Sequence, residues 1–362
     1  MKIVHVVGAR PNFMKVAPIM AAYEGRPEFE PLLVHTGQHY DERMSDLFFR
    51  QLGIPEPDVN LEVGSGSHAQ QTAEIMTRFE PVMLEHKPDA VLVVGDVNST
   101  IACGLVASKL GIRLIHVEAG LRSFDRGMPE EINRILTDRI SDQLFCTEQS
   151  GIDNLLKEGT PKESAHLVGN VMVDTLLKNL EKARETTILE KLGLEPKSYA
   201  VVTLHRPSNV DDNAVLGRIL DVLKVVQEDQ PILFPVHPRT RSRLQDPALA
   251  PKVEAMPNLR LLDPAGYLEF VRLCDAARLV LTDSGGIQEE TTIMDVPCLT
   301  LRENTERPVT CEIGTNQLVG TDPDRILEGY RKIQTGEAGR GEAPPLWDGQ
   351  AAVRIVDLLG SN

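Results

Sequence analysis

The sequence predicts an α/β protein built from two Rossmann-like domains, each a doubly wound, mostly parallel sheet, that face a cleft. The first observation is the alternation of apolar, strand-like runs with helix-like segments along the chain. The second is a polar stretch rich in Lys and Glu, residues 175–195, which divides these runs into two series. The third is the length of 362 residues, which exceeds one small core and fits two domains of common size.

Each of the two series contains six predicted strands. In the first half these are residues 3–7, 32–35, 90–95, 113–117, 143–146 and 165–168. In the second half they are residues 199–204, 232–236, 259–262, 278–282, 298–301 and 317–319. A Gly- and Pro-rich segment, residues 336–345, is typical of a linker and precedes a last amphipathic helix at 349–359. We therefore place an N-terminal domain at residues 1–172 and a C-terminal domain at residues 173–345.

Composition and charge exclude several classes of protein. A formal net charge of −15 argues against a nucleic-acid or anionic-membrane partner and requires a local basic pocket for any anionic substrate. No apolar run reaches the length of a membrane span, and the N-terminus begins with a strand pattern instead of a signal peptide. Five scattered cysteines, without a Cys-x-x-Cys pair, are typical of reduced thiols. The sequence therefore predicts a cytoplasmic protein that has no membrane partner.

Polar and glycine residues follow the predicted strands in both halves, where parallel sheets of this kind bind ligands. These groups are residues 8–10, 37–39, 95–96, 118–120, 205–206, 237–238 and 284–286. Together they predict a ligand site between the two domains. No Gly-x-Gly-x-x-Gly opens a helix after a strand, no Walker sequence is present, and no His/Cys spacing suits a metal. The chemistry is therefore expected to need neither an NAD cofactor nor a bound structural metal.

A strand-to-helix corner, Ser284-Gly285-Gly286, is a candidate seat for a phosphate group. The first N–H groups of a helix lack partners, and two glycines let an anion approach the main chain. The same pattern is also typical of an ordinary helix N-cap. Glu290 follows one turn later, where its carboxylate could bind two ribose hydroxyls.

Basic residues supply further candidates for anion binding. Arg10 follows the first strand, and Lys15 lies about one and a half helical turns later. Arg307 precedes Pro308 in a loop, where its guanidinium could fork onto a pyrophosphate. His205 ends an apolar strand, a position more typical of a core or turn histidine than of a catalyst.

Acidic residues at strand ends are the sharper indication of catalysis. Asp96 and Glu118 directly follow apolar strands, where partial desolvation shifts pKa values and makes acid–base chemistry possible. Glu130 and Glu131 open a helix that begins near Pro129. We interpret Glu131 as a partner of the helix dipole and Glu130 as a third carboxylate of the same cleft.

Seven motifs, in order from residue 3 to about residue 320, together resemble the non-hydrolysing UDP-N-acetylglucosamine 2-epimerases. They are Gly8-Ala9-Arg10-Pro11, Thr36-Gly37-Gln38-His39, Gly95-Asp96, residues 116–122 (HVEAGLR), residues 129–134 (PEEINR), residues 283–290 (DSGGIQEE) and Thr305-Glu306-Arg307-Pro308. The resemblance implies the GT-B fold of nucleotide-sugar glycosyltransferases, with a C-terminal helix, residues 346–362, that joins the first domain. It also implies a homodimeric isomerase of polysaccharide biosynthesis that acts on a small-molecule UDP-sugar without a metal.

The resemblance also implies a mechanism. UDP leaves C1 of the sugar as the C2 proton is removed, which gives 2-acetamidoglucal, and UDP adds back after protonation from the opposite face. The implied catalytic residues are Asp96, Glu118 and Glu130, with His205 at the phosphates. The implied ligands of the diphosphate are Arg10, Lys15, Ser284, Gly285, Gly286 and Arg307. Phe270 is implied to border the uracil and Glu290 to hold the ribose, while the choice of proton-accepting carboxylate stays open.

Several positions depart from the family pattern. Residues 205–209 read His-Arg-Pro-Ser-Asn, where the family often has His-Arg-Arg-Glu-Asn. Residues 40–42 and 64–67 replace Gln and Arg residues associated with activation by a second UDP-N-acetylglucosamine, which leaves such activation open. Residues 36–49 and 121–124 also resemble the branch that acts on UDP-2,3-diacetamido-2,3-dideoxy-glucuronate, our alternative substrate. The alternative functions are a UDP-sugar GT-B glycosyltransferase, a hydrolysing epimerase and a nucleotide-sugar sensor.

Overall fold

In the computed structural model, which describes residues 1–37 and 55–361, the chain forms two compact α/β units. The first unit comprises Met1–Lys178 and Pro345–Asn362, and the second comprises Asn179–Pro344. Strands of both units pair in parallel. Parallel sheets are covered on both faces, which explains why the strands are continuous apolar runs. Gln38, His39 and residues 40–49, which entered the sequence comparison, lie outside the described residues.

The first unit contains a sheet with the strand order β3-β2-β1-β4-β5-β6-β7. Its strands are β1 (Lys2–Val7), β2 (Glu30–His35), β3 (Val59–Asn60), β4 (Ala90–Val94), β5 (Arg113–Ala119), β6 (Gln143–Cys146) and β7 (Ala165–Leu167). Its helices are α1 (Arg10–Ala22), α2 (His68–His86), α3 (Asn98–Lys109), α4 (Pro129–Ile140) and α5 (Gln149–Lys157). Helix α6 (Val171–Arg184) contains the boundary between the two units.

The second unit contains a sheet with the strand order β10-β9-β8-β11-β12-β13. Its strands are β8 (Ala200–Thr203), β9 (Ile232–Pro235), β10 (Leu259–Leu262), β11 (Leu279–Thr282), β12 (Cys298–Thr300) and β13 (Asn316–Leu318). Its helices are α7 (Ile188–Leu192), α8 (Pro207–Val210), α9 (Asn213–Asp229), α10 (Pro238–Leu244), α11 (Ala250–Glu254), α12 (Tyr267–Asp275), α13 (Gly285–Ile293), α14 (Val309–Glu312) and α15 (Pro323–Thr335). The last helix, α16 (Ala351–Gly360), belongs to the first unit.

The strand order reverses between β1 and β4 in the first unit and between β8 and β11 in the second. Open α/β sheets bind ligands beyond the carboxyl ends of the strands at this switch point. In the first unit, Gly8 follows β1 and Asp96 lies two residues beyond β4. In the second unit, His205 lies two residues beyond β8 and Ser284 two residues beyond β11. The topology therefore places the predicted site residues where a ligand is expected.

Two buried contacts tie the C-terminal segment to the rest of the first unit. The Asp174 carboxylate accepts hydrogen bonds from the backbone N–H groups of Ala351 and Ala352, at 3.2 and 2.7 Å. Trp347 donates its indole N–H to the carbonyl oxygen of Thr147 at 2.9 Å. Burial raises the pKa of Asp174 above its ordinary value, although both N–H groups act in the opposite direction. Asp174 therefore caps the start of α16 from a distant part of the chain.

The predicted α/β class and its twelve strands are confirmed, with strand ends that differ by one or two residues. Strand β3 was not predicted, because a two-residue strand is too short to show a pattern. The helical stretch predicted at 175–195 is interrupted, since α6 ends at Arg184 and α7 begins at Ile188. Within the described ranges, no helix has both the length and the apolar character needed to cross a membrane.

Candidate active site

Asn12 joins the loop after β1 to the end of β4. Its Oδ1 accepts hydrogen bonds from the backbone N–H groups of Gly8 and Ala9, at 3.2 and 2.9 Å. Its Nδ2 donates to the carbonyl oxygen of Val94 at 3.1 Å. Helix α1 begins in this fixed loop at Arg10, whose side chain lies outside the described part of the structure.

Lys15 and Glu118 form a buried ion pair at the ends of neighbouring elements of the first unit. Lys15 lies on α1 and Glu118 near the end of β5, and their side chains are only 9% and 3% exposed. Gly95, directly after β4, has a φ of +65°, and a Cβ there would lie 2.8 Å from Lys15 Nζ. The structure therefore pairs Lys15, which was predicted to face an anion, with the carboxylate that was predicted to be catalytic.

The backbone of Glu118 adopts a conformation that L-residues rarely adopt. Its φ is +72°, and the register of β5 against β6 shifts between Val117 and Ala119. A non-glycine residue held in this region costs on the order of 1–3 kcal/mol, and such strain concentrates at functional sites. An irregularity in a strand also re-aims a side chain. The fold therefore holds Glu118 in a strained backbone conformation that sets the direction of its carboxylate.

Asp96 is held by Arg134, which lies on α4. Arg134 Nη2 lies 2.6 Å from Asp96 Oδ2, and Arg134 Nε donates to the same oxygen at 3.2 Å. Asn133 Nδ2 donates to the carbonyl oxygen of Asp96 at 2.9 Å. The Asp96 side chain is 26% exposed, so it is oriented by α4 and still reaches solvent.

Glu131 lies in the first turn of α4, as expected of a helix-dipole partner, and it is also a buried structural carboxylate. It is 1% exposed and accepts hydrogen bonds from the backbone N–H groups of Ser123 and Phe124, at 3.0 and 2.8 Å. It also pairs with Arg134. Phe124 has a φ of +58° and is 78% exposed. Arg134 therefore couples the loop after β5 to Asp96 through Glu131.

Glu130 lies at the start of α4, and its side chain is exposed. Among the described residues it forms no hydrogen bond or ion pair, so the structure does not join it to Asp96 or Glu118 through a direct contact. Its carboxylate is therefore accessible to a ligand, unlike that of its neighbour Glu131.

His116 and Asp138 are buried side chains that hold the end of β5 in place. The His116 ring lies between the Gly95 carbonyl oxygen, at 2.8 Å, and the Asp138 carboxylate, at 2.7 Å. Asp138 also accepts hydrogen bonds from the Gly120 N–H at 3.1 Å and from Arg122 at 2.7 Å. These contacts fix the backbone on both sides of Glu118.

His205 and Asp283 form the corresponding pair in the second unit. His205 Nδ1 lies 2.7 Å from Asp283 Oδ1, and the histidine side chain is 53% exposed while the aspartate is fully buried. Asp283 also accepts backbone hydrogen bonds from His205 and Arg206. Burial acts to raise the pKa of Asp283, but its hydrogen bond to His205, the charge of that ring and the two backbone N–H groups lower it below its ordinary value. The buried carboxylate thus orients an exposed imidazole.

The N-terminus of α13 and Arg307 lie against each other. Ser284 is the N-cap residue, and its side chain makes no capping hydrogen bond. A Cβ on Gly285 would lie 2.7 Å from Arg307 Nη1, which shows how closely the guanidinium approaches the start of the helix. The structure therefore brings together Ser284, Gly285 and Arg307, with Gly286 next along the helix, in an arrangement that could bind an anion.

Arginines surround a buried carboxylate beside this helix end. Both guanidinium N–H groups of Arg302 donate to Glu306 at 2.9 Å, while Arg206 and Arg307 lie 3.5 and 3.6 Å from it. Arg307 also pairs with buried Glu289. Burial raises the pKa of Glu306, but the three arginines outweigh it and hold that pKa well below its usual range. The cluster therefore supplies positive charge within an acidic protein.

Glu290 and Phe270 lie on neighbouring helices of the second unit. Glu290 is 6% exposed on α13 and lies beside the phenol of Tyr267 at the start of α12. Burial raises the pKa of Tyr267 well above its ordinary value, and the charge of Glu290 adds to the shift. Phe270 lies one turn later on α12 and is half-buried.

Several residues that complete these groups had no role predicted from the sequence. They are Asn12, His116, Arg134, Asp138, Asp283, Glu289 and Glu306. Of these, His116 lies inside an apolar strand and Asp283 directly follows one, while the other five lie on helices or in a loop. The rule that singled out Asp96 and Glu118 would also have singled out Asp283.

Comparisons with known proteins give a consistent result. The family model described as UDP-N-acetylglucosamine 2-epimerase matches residues 21–360. A UDP-N-acetylglucosamine 2-epimerase of Methanococcus maripaludis is 42% identical, covering 99% of this chain and 98% of its own. A UDP-2,3-diacetamido-2,3-dideoxy-D-glucuronate 2-epimerase of Pseudomonas aeruginosa is also 42% identical, covering 99% of both chains. The crystal structure of Methanocaldococcus jannaschii UDP-GlcNAc 2-epimerase in complex with UDP-GlcNAc and UDP has a TM-score of 0.92, with 42% identity and full coverage of both chains.

A family model that spans nearly the whole chain and relatives that match its full length agree with the two parallel sheets and with the motifs at their strand ends. The chain therefore belongs to the UDP-N-acetylglucosamine 2-epimerase family of isomerases and has the GT-B fold of its structural neighbours.

Proposed function

We propose that the chain is a non-hydrolysing 2-epimerase that interconverts UDP-N-acetylglucosamine and UDP-N-acetylmannosamine. The C2 proton has no neighbouring carbonyl group to acidify it, so it is removed as UDP leaves C1. The product of this step is 2-acetamidoglucal, and UDP adds back after a proton is delivered to the opposite face of C2. The reaction therefore needs an acid and a base on two faces of the sugar, together with firm binding of the leaving group.

Residues of the first unit act on the sugar in this proposal. The observation that carries it is Glu118, which is directed by a strained backbone and paired with Lys15. Asp96, oriented by Arg134, and the exposed Glu130 are the other candidates for transfer of the C2 proton. Three carboxylates at one sheet edge can supply the acid and the base on opposite faces.

Residues of the second unit hold the UDP group. The N-terminus of α13, with Ser284, Gly285 and Gly286, binds the diphosphate together with Arg307, because oriented N–H groups and a guanidinium both favour phosphate oxygens. His205 Nδ1 lies against the Asp283 carboxylate, which leaves Nε2 of the exposed ring to face the departing phosphate.

The remaining assignments come from the family resemblance. Arg10 and Lys15, from α1, contribute positive charge to the diphosphate. Phe270, half-buried on α12, borders the uracil. Glu290, beside the same helix, holds the ribose hydroxyls.

A second candidate substrate is UDP-2,3-diacetamido-2,3-dideoxy-glucuronate. The observation that favours it is the Pseudomonas aeruginosa relative, which is as similar to this chain as the Methanococcus maripaludis relative. The two sugars differ in a C3 acetamido group and a C6 carboxylate, and the elimination at C1 and C2 is the same. Identity alone does not separate them, so the substrate must be measured.

The test is incubation of the pure protein with each UDP-sugar in deuterium oxide, followed by NMR of the sugar. We expect deuterium at C2 and formation of UDP-N-acetylmannosamine from UDP-N-acetylglucosamine. Release of free N-acetylmannosamine would mean a hydrolysing enzyme. An unchanged UDP-N-acetylglucosamine, with turnover of the diacetamido sugar instead, would replace the first substrate by the second.

We also propose that the enzyme works as a homodimer in the cytoplasm and supplies a sugar for polysaccharide biosynthesis. The family membership supports these assignments. Sedimentation equilibrium tests the first of them, because a dimer has twice the 40.0 kDa mass of the chain.

A further inference from the structure

A cavity of about 250 Å³ lies at the amino ends of strands in the second unit. Arg278 directly precedes β11 and Thr315 directly precedes β13, and both line the cavity. The anion-binding residues described above follow the carboxyl ends of the same sheet. Four-residue β11 alone separates the two ends by about 13 Å, at roughly 3.3 Å per residue. The cavity is therefore distinct from the candidate active site.

The cavity has a local excess of positive charge. Lys197, Arg278 and Arg340 line it, opposed by the carboxylate of Asp295. This excess runs against the net charge of −15 of the whole chain. Within the described ranges, the side chains of Arg278 and Arg340 form no hydrogen bond or ion pair. Two guanidinium groups are thus available to an anion, and such groups fork onto phosphate oxygens.

Lys197 and Thr315 supply polar groups to the lining of the cavity. Lys197 Nζ donates to the carbonyl oxygens of Asp275 and Ala277, at 3.0 and 2.9 Å, which holds its charge at the rim of the sheet. Thr315 Oγ1 is buried and has no hydrogen-bond partner among the described residues. A buried hydroxyl without a partner is destabilising, and a hydrogen bond to a ligand oxygen or nitrogen would remove that cost.

Residues 338–340 also line the cavity, and the chain that follows them is anchored to the loop before β13. Glu342 N–H donates to the Ile313 carbonyl oxygen at 2.7 Å. A Cβ on Gly341 would lie 2.5 Å from the carbonyl carbon of Gly314, so only glycine allows this approach. The chain leaves the second unit shortly afterwards, at Pro344. Residues 338–344, the connector to the first unit, therefore begin as part of the cavity lining.

We propose that this cavity is a binding site for a small phosphate-bearing ligand, held by the guanidinium groups of Arg278 and Arg340 and by the Thr315 hydroxyl. Its volume lies just below the roughly 300–1,000 Å³ of sites for drug-sized ligands, so it suits a phosphate or diphosphate group better than a whole nucleotide sugar. A ligand that bridges Arg278 of the sheet and Arg340 of the connector orders the connector. The proposal does not depend on the substrate or the mechanism proposed above.

The test is hydrogen–deuterium exchange of the full chain with millimolar inorganic pyrophosphate as the probe. We expect slower exchange in peptides that cover residues 313–316 and 337–342. In an Arg278→Gln/Arg340→Gln variant the apparent Kd from this protection should rise by about tenfold for each guanidinium removed. An Arg218→Gln/Arg331→Gln variant is the matched control, because both arginines are exposed and lie outside the cavity lining.

Three outcomes would overturn the proposal. They are no protection of these peptides in the unmodified protein, equal protection in the double variant, and protection confined to residues 205–210 and 284–290. The last result would mean that pyrophosphate binds only at the candidate nucleotide site. If the double variant does not fold, the single variant Arg340→Gln serves, because Arg340 is exposed on the connector and its loss leaves the sheet intact. Parallel titrations with phosphate monoesters separate a free phosphate ligand from a phosphorylated metabolite.

Discussion

The two units share a sheet topology but differ in the side chains that follow their strands. In the first unit the candidate functional groups are carboxylates, and two of them have a basic partner: Lys15 for Glu118 and Arg134 for Asp96. In the second unit the carboxylates are buried and serve as supports, while an imidazole and a helix N-terminus face outwards. This difference supports the proposal that the first unit transfers protons and the second binds an anion.

The largest effect is expected from neutralising the carboxylates of the first unit that are proposed to transfer the C2 proton. Glu118→Gln and Asp96→Asn should each lower kcat by about 10²–10⁴-fold, the usual contribution of a general acid or base. The Kd for UDP should stay within a few-fold of its original value. Steady-state epimerisation and calorimetric titration with UDP measure the two quantities.

The control for these variants is Glu85→Gln, an exposed carboxylate at the end of α2. It should leave both quantities unchanged. Near-full kcat in Glu118→Gln would remove that residue from the catalytic group.

The converse change is Arg307→Gln in the second unit. A charge-assisted hydrogen bond contributes about 1.5–3 kcal/mol, so the Kd for UDP should rise by about 10- to 100-fold. Arg307→Lys keeps the positive charge beside Glu289 and Glu306 and should recover part of the affinity. Calorimetry measures this affinity. An unchanged Kd for UDP in Arg307→Gln would contradict the proposal that this residue of the second unit binds the anion.

A smaller effect is expected at Arg134, which we regard as a positioning residue. Arg134→Gln leaves buried Glu131 without its cation and Asp96 without its orienting group, so kcat should fall by about tenfold while KM changes little. The pH profile of kcat should shift in this variant, and Arg134→Lys should restore much of the rate. A normal pH profile with a lower melting temperature alone would mean a purely structural role.

The last prediction concerns acid stability, which should differ between the units. Burial lowers the pKa of His5, in β1 of the first unit, to about 3 from an ordinary value of 6.5. The unfolded chain therefore takes up a proton near pH 6.5 and the folded chain does not, so stability falls as the pH drops below 6.5, by about 1.4 kcal/mol per pH unit. Asp283 in the second unit has a lowered pKa, so its contribution is lost only below its ordinary value of 3.8.

Trp347 reports on this difference, because it is the single tryptophan and is buried in the first unit. Its fluorescence should follow acid unfolding of that unit, and a His5→Phe variant should move the transition to lower pH. The same transition in both proteins would show that His5 does not control acid stability.

Much of the fold was predictable because parallel strands buried on both faces are continuous apolar runs, which the sequence displays directly. Asp96, Glu118 and Ser284 were found for the same reason, since the residues after such strands lie at the ligand-binding edge. The Lys15–Glu118 pair was not predictable, because both side chains were judged alone. The buried contacts of Glu131 were not predictable, because its partners, Ser123 and Phe124, precede it in a loop without a regular pattern.

The most direct test of the division between the units is the rate of deuterium incorporation at C2 in Glu118→Gln and Arg307→Gln, at a saturating concentration of UDP-N-acetylglucosamine. Saturation compensates for weaker binding but not for a missing acid or base. We predict a rate within about tenfold of the original in Arg307→Gln and a loss of at least about a hundredfold in Glu118→Gln. The reverse order of these two rates would contradict the account.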